Sequence, residues 1–184
     1  MTFRSAALLL LSLVPSCATV HPYRFTNYTQ NKQAMNAIRQ NRVAVLTFAG
    51  PDGMRLADEF SIQLGKLGRF DIVERQRVRD LFEEQDLDPS RVDQTTAVKL
   101  GQMLGAHAVV MGTVNDYRPG RVSASARLVT VETGELAWQG SDDLLGNDAR
   151  VQALVEDRED QSRMARDSDF LAMWLCRLLT ESMR

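Results

Sequence analysis

Two thiols, two imidazoles and a few carboxylate pairs are the groups in this 184-residue chain that could do chemistry. His21 lies in a polar N-terminal stretch and His107 inside the apolar run 106–110, so no His-based triad or zinc set can be assembled around them. His107 reads as a satisfied histidine of a buried strand. Gly50, Gly53, Gly101 and Gly105 match neither a phosphate loop with its Lys-Ser/Thr nor a dinucleotide fingerprint. Gly101 and Gly105 instead suit close helix packing and a helix C-cap. Asp142 and Asp143 are adjacent, and neighbours on a strand point to opposite faces, which argues against a shared cation or a hydrolytic pair. Glu74-Arg75 follows a short strand and is the most suggestive charged pair, with Arg75 expected to anchor the strand-to-helix turn. Cys176 sits among Leu175, Leu178 and Leu179 and reads as a buried small hydrophobe. No catalytic, cofactor-binding or metal-ligating residue is assigned, no cofactor is expected, and the chain reads as a non-enzyme.

Cys17 is different, because of what precedes it. Arg4 is followed by an apolar run over 6–14 that is broken only by Ser12. About nine residues at 1.5 Å each cannot cross roughly 30 Å of hydrocarbon, so this is the apolar centre of an export signal rather than a membrane span. Leu13-Val14-Pro15-Ser16-Cys17 resembles the lipobox of bacterial lipoproteins, in which a small residue precedes a cysteine that becomes acylated and N-terminal. Ser16 and Cys17 fit that pattern; Val14 and Pro15 depart from it. The competing reading takes Ser16-Cys17-Ala18 as a small-x-small site for ordinary signal peptidase, which would release a soluble periplasmic chain. Lipidation at Cys17 is the expectation carried forward. Each buried CH₂ contributes about 0.8 kcal/mol, so several acyl chains make a lasting anchor. Ala18 in the second mature position resembles lipoproteins sorted to the outer membrane. With Cys17 acylated or removed, Cys176 has no disulfide partner.

Composition sets the remaining bounds. A chain of 184 residues supports one domain with a real core, and 44% hydrophobic with 25% charged residues is ordinary for a globular protein. A net charge of −2 provides no cationic field for a phosphate backbone, which argues against nucleic acid as a partner.

The elements that must position these groups follow from periodicity. Residues 19–41 are polar and aperiodic, which predicts a tether reaching at most about 75 Å at about 3.3 Å per residue; Tyr23, Phe25 and Tyr28 are its aromatic outliers. Val43 to Phe48 is a continuous apolar run closed by Gly50-Pro51-Asp52-Gly53, as a strand covered on both faces requires. Leu56, Phe60, Leu64 and Leu67 stripe one helix. Phe70 to Val73 forms a short strand, and Val78, Leu81 and Phe82 mark a second helix. After the turn at Asp88-Pro89, a third helix starts near Thr95 or Thr96, turns Ala97, Leu100 and Leu104 inward and stops at Gly105. A buried strand over 106–114 completes an order that implies right-handed crossovers and a largely parallel first half of the sheet. Val122, Ala124, Ala126 and Leu128 alternate with polar residues, and Glu132-Thr133-Gly134-Glu135 turns the chain into Leu136-Ala137-Trp138, an antiparallel hairpin. The charged stretch 147–168 predicts a solvated helix or mobile loop. Leu171, Trp174, Leu175, Leu178 and Leu179 stripe a closing helix. The expected architecture is α/β with a mixed sheet, in the order β-α-β-α-α-β, then the hairpin and the C-terminal helix. Its expected parts are a signal peptide over 1–16, an acylated cysteine and flexible tether over 17–41, and a single α/β domain over 42–184.

The runs Val43 to Phe48, Gly68-Arg69-Phe70-Asp71-Ile72-Val73-Glu74-Arg75, Leu100-Gly101-Gln102-Met103-Leu104-Gly105 with the strand that follows, and Val131-Glu132-Thr133-Gly134-Glu135 together resemble the CsgG family. The resemblance covers about residues 42–145, with 70–114 its most specific part. It extends to the LpoB-type lipoproteins that activate penicillin-binding proteins. It implies a periplasmic α/β domain on an outer-membrane lipoprotein, with a role in assembly or activation: the partner would be an envelope protein, either a penicillin-binding protein or curli-type secretion machinery. A homo-oligomer is compatible with the family, and a subunit of a secretion pore is the alternative. Membrane hairpins would need alternating strands of about 9–11 residues with interfacial aromatics. Here 114–145 has room for one modest hairpin with small or polar outward residues, which favours the accessory role. An envelope hydrolase is the third reading, and it would rest on Glu74, Asp142 or Asp143.

Overall fold

The computed structural model describes residues 26–38 and 41–184. Cys17, the expected signal peptide, Tyr23 and Phe25 lie outside the described residues. The elements are β1 (Asn27–Gln30), α1 (Lys32–Ala37), β2 (Arg42–Val45), α2 (Gly53–Lys66), β3 (Asp71–Ile72), α3 (Arg75–Glu84), a 3₁₀ turn (Pro89–Arg91), α4 (Gln94–Met103), β4 (Ala108–Arg118), β5 (Arg121–Thr130), β6 (Leu136–Leu145), α5 (Ala149–Gln152), α6 (Arg158–Arg166) and α7 (Ser168–Glu181). They build a mixed α/β fold around one sheet in the order β1-β6-β5-β4-β2-β3.

β2 lies parallel to β3 and to β4, as the helical crossovers require. From β4 onward the sheet is antiparallel, and its longest strands belong to this half. β4 runs past the expected end near Val114 to Arg118 because a register shift between Val114 and Asp116 lets it continue. It then turns at Pro119-Gly120 into β5, so the expected hairpin is the second half of a three-stranded meander.

Two apolar layers hold the sheet. On one face α2 and α7 pack against each other and over the sheet, burying Leu56, Phe60, Leu64, Leu171, Leu175 and Leu178 against Val45, Val110, Val122, Ala124 and Leu128. On the other face α3 and α4 bury Val78, Leu81, Phe82, Leu100 and Leu104 against Ala44, Leu46, Val109, Met111, Val129 and Val131. The second layer contains no residue of β1; its buried members stop at Val129 near the end of β5 and Val131 just beyond it, with Leu136 at the start of β6 packed against them. The strand period of two therefore leaves the remaining outward side chains of β5, β6 and β1 without a helix above them.

Three expectations change. The stretch 17–41 is not a tether throughout: β1 pairs antiparallel with β6, and α1 buries Ala34 and Met35, with Ile38 beyond its end also 3% exposed. Asn31 caps α1, its Oδ1 accepting from the backbone N–H groups of Gln33 (3.0 Å) and Ala34 (3.3 Å). The folded unit thus begins by Thr26, and the boundary at residue 42 is corrected. An exposed edge strand of four polar residues and a six-residue helix leave too short a pattern to read. His107, expected in a buried strand, is exposed in a bend before β4; it joins the sheet through its backbone, the N–H donating to Arg42 O and the carbonyl accepting from Val131 N–H. α4 starts one or two residues earlier than expected because Asp93, not a threonine, caps it by accepting from Thr96 N–H at 2.7 Å. That bond holds the Asp93 carboxyl below its ordinary value.

At Gly101 α4 packs tightly on the sheet. A Cβ there would lie 2.5 Å from Val131 Cγ2 and 2.6 Å from Val109 Cγ1. Gly101→Ala should cost about 1–2 kcal/mol by overpacking, since valine tips rather than backbone must yield. A urea titration would read this as a lower midpoint at unchanged slope.

Candidate functional site

Glu74 and Arg75 open α3. Glu74 is exposed at the N-cap and its side chain makes no capping bond. The Arg75 side chain is 13% exposed: its Nε donates to Asp58 Oδ1 of α2 at 2.7 Å, and its Nη1 donates to the carbonyl of Val45 at the end of β2. Arg79, one turn on, donates from Nη1 to the same carboxylate at 3.3 Å. Adjacent strands β2 and β3 send their chains to opposite faces here, β2 into α2 and β3 into α3. Crevices of this kind at the carboxyl ends of parallel strands commonly take ligands, but in this chain the Arg75 guanidinium occupies it. Burial pulls the Arg75 pKa down, while Asp58 opposes the shift.

Asp142 and Asp143 face opposite sides of β6. Asp142 Oδ2 accepts from the Thr26 hydroxyl at 3.1 Å, and its Oδ1 accepts from the backbone N–H of Asp143 at 2.9 Å. Asp143 takes a two-point bond from Arg121, Nε at 3.1 Å and Nη2 at 2.8 Å. Glu74 belongs to the opposite edge: β5, β4 and β2 separate β6 from β3, and strands lie about 4.8 Å apart. The three carboxylates considered for hydrolysis are therefore not brought together. Among the described residues, no group of three or more His, Cys, Asp or Glu is placed to hold a metal ion. Cys176 is fully buried, and that burial pushes its thiol well above the ordinary value. Gly134 occupies a left-handed position, φ 69°, in the turn between β5 and β6, while Gly105 ends α4 with φ 65°. Tyr117 donates to Asp169 Oδ1 at 2.5 Å and Arg55 reaches the same oxygen at 3.1 Å, tying β4 to the starts of α7 and α2. Burial and that carboxylate raise the phenol above its usual range.

Burial also pushes the Asp142 carboxyl up from its ordinary 3.8, with Asp143 adding to the shift and Arg150, Thr26 and the Asp143 N–H opposing it. The folded chain then holds this proton more tightly than the unfolded chain does. The contribution favours folding at acid pH, is complete below the unfolded pKa, and is lost as pH rises through the folded value. Asp142→Asn should remove this decline, so that its stability-versus-pH curve lies flatter than wild type just above pH 4. Urea midpoints collected across that range measure the difference.

The candidate site is thus a surface, not an enclosed pocket of reactive groups. The bare side of β5, β6 and β1 carries an open cavity of about 510 Å³ lined by Asn27, Thr29, Ser125, Arg127, Gln139 and Ser141, among others. A smaller cavity of about 200 Å³ adjoins it, walled by Pro89, Ser90 and Val92 beside the 3₁₀ turn and sharing Ser125 and Arg127. Sequence reading missed this surface because its residues appear there simply as the wet half of an alternating strand.

Comparison with known proteins gives a family and a fold. A family model described as "Curli production assembly/transport component CsgG" matches residues 13–133. The curated proteins contain no match. Among solved structures, the PelC dodecamer from Paraburkholderia phytofirmans is similar at 16% identity and a TM-score of 0.52, over 86% of this chain and 95% of that one. A variant of the same dodecamer gives 16% identity and a TM-score of 0.56, over 86% and 98%. Lipoprotein GNA1162 from Neisseria meningitidis shares 22% identity at a TM-score of 0.50, over 62% of this chain and 90% of that one. At these identities the structural likeness establishes the fold.

Proposed function

The chain belongs to the CsgG family, and from that premise we propose that it is a periplasmic lipoprotein, anchored to the outer membrane through Cys17, that acts without catalysis by binding an envelope protein complex. The observation that carries the reading is the family match, which spans both the Cys17 segment and the sheet through the turn at Thr133. Two features agree with it. Of the carboxylates considered for hydrolysis, Glu74 stands apart at the other edge of the sheet, Asp142 is held by Thr26 and the Asp143 N–H, and Asp143 is ion-paired with Arg121. The sheet also presents a broad face that its own helices do not cover. No helix among the described residues is long and apolar enough to cross a membrane; in this reading the anchor is Cys17. The complex served is a peptidoglycan synthase or curli-type secretion machinery. Amine-reactive crosslinking in intact cells should recover one defined envelope partner, and a chain that stays uncrosslinked across growth phases would count against this reading.

A second reading, a subunit of an oligomeric secretion apparatus, is favoured by the dodecameric assembly named for the PelC structures. Light scattering of the detergent-extracted lipoprotein separates the two. A stable large ring supports the secretion assembly, and a monomer supports the accessory factor.

A further inference from the structure

Strand pairing arranges the bare face as ranks of side chains. Thr113 on β4 is opposite Ser125 on β5, Ser125 is opposite Ser141 on β6, and Ser141 is opposite Asn27 on β1. The next rank runs Met111, Arg127, Gln139, Thr29 across the same strands. Directly paired residues share a face, with strands about 4.8 Å apart, so this is a flat floor of hydroxyls and amides with one cation. Met111 is covered by α3 and α4; Arg127, Gln139, Ser141, Asn27 and Thr29 are exposed.

The cation has no carboxylate. Farther along the same face, Arg118 and Arg121 pair with Asp116, and Arg121 pairs with Asp143 as well. No hydrogen bond or ion pair holds the Arg127 guanidinium among the described residues. Neither cavity that meets at Arg127 has an Asp or Glu in its lining. The floor thus offers a fork of donors at the point where its two concavities join, ringed by short polar side chains that let another chain approach closely. A guanidinium so placed matches a carboxylate at two points, and arginine is, with tryptophan and tyrosine, among the residue types enriched at the centres that dominate protein interfaces.

We propose that the bare face of β5, β6 and β1, centred on Arg127, docks an acidic segment of a protein partner, a Glu or Asp of that segment pairing with Arg127. This inference rests on the accessory reading above and names the surface it uses. A second copy joined by a two-fold contact is a poor occupant, because such a contact between these faces would set Arg127 against Arg127 with no carboxylate between them; a copy packed head to tail is an outcome the test below reads.

The test uses the full-length lipoprotein in intact cells, with a photo-crosslinking amino acid replacing Ser141 and, as a control, Gln76 on the exposed side of α3. Illumination should join the Ser141 probe, but not the Gln76 probe, to one envelope protein at a peptide containing Asp or Glu. Arg127→Glu should lower that adduct at least tenfold, and Arg127→Lys should lower it less, while both keep the wild-type thermal midpoint. Reversing the mapped acid of the partner to arginine should restore the adduct with Arg127→Glu. The proposal is overturned by an adduct indifferent to Arg127→Glu, by an adduct to a second copy, or by a partner found with amine-reactive crosslinker that the Ser141 probe misses. In that last case the accessory reading stands and this surface is wrong. Failure of both crosslinkers overturns the accessory reading, and this surface with it.

Discussion

Trp138→Ala is expected to cost about 3–5 kcal/mol of unfolding free energy, the range for deleting a fully enclosed large aromatic. The indole is 0% exposed, and its Nε1–H donates to Ser182 Oγ at 3.1 Å, with Ser182 Oγ in turn donating to Leu179 O at 2.6 Å. It lies on the backbone of Gly140, where a Cβ would come within 2.5 Å of the ring and 3.3 Å of Leu179. This ring joins β6 to the C-terminal end of α7, so truncation leaves a cavity between layers and a Ser182 oxygen that keeps its bond to Leu179 O but loses the indole donor. A domain with about 5–15 kcal/mol in hand would lose a large share of it, and the thermal midpoint should fall by about 10 °C or more. Trp138→Phe, which keeps most of the packing and loses the hydrogen bond, should cost much less. Equilibrium urea unfolding followed by far-ultraviolet circular dichroism measures both; a cost under about 1.5 kcal/mol for the alanine variant would show that the cavity collapses.

Arg75→Ala should be the next largest loss, about 2–4 kcal/mol. The change strips a nearly buried side chain from the crevice at the carboxyl end of β2 and leaves the carbonyl of Val45 without its side-chain donor. The Asp58 side of the network adds less, since that carboxylate is 39% exposed and keeps Arg79. Arg75→Lys should recover little, because an ammonium cannot serve Asp58 and Val45 in the planar fork that the guanidinium uses. The result that distinguishes crevice filling from general charge loss is the Arg79→Ala control. Arg79 is 29% exposed and bonds the same carboxylate without reaching β2, so its removal should cost well under half as much.

Much of the framework was legible because the chain marks it strongly. The run from Val43 to Phe48, the stripe at Leu56, Phe60 and Leu64, and the closing stripe at Leu171, Leu175 and Leu178 carry single unbroken periods. The two stripes survive as buried helix faces, and the run stays buried at Leu46 and Phe48 although β2 itself ends at Val45. The losses came where burial is shallow. β1 has no buried residue and earns its place through main-chain bonds to β6, which no side-chain pattern reports. β4 continues past Asn115 because a shift of register absorbs that residue and Asp116 pairs with Ser123, again a backbone event. His107 was misplaced for the opposite reason: apolar neighbours suggested a buried strand, but the strand proper starts one residue later.

The candidate surface was still less legible. Alternation identified Ser125, Arg127, Gln139 and Ser141 as outward-facing, and outward-facing polar residues ordinarily mean solvent. What singles them out is that α3 and α4 stop short of them and that β6 and β1 extend the floor beside them. Both facts are properties of topology. Glu74-Arg75, by contrast, was visible as an unusual pair, while the partners of Arg75, Asp58 and Val45, could be assigned only from where the end of β2 leads into α2 beside the start of α3.

The central claim is that the domain works at the envelope because Cys17 holds it there. The direct measurement is the membrane partitioning and intact mass of the full-length chain and of its Cys17→Ala variant, each expressed with its own signal segment. The account predicts that the wild-type chain sediments with the outer membrane, needs detergent for extraction, and begins at an acylated Cys17, while Cys17→Ala leaves that fraction. A wild-type chain recovered soluble and starting at Thr19, or a Cys17→Ala variant that stays membrane-bound, would contradict it.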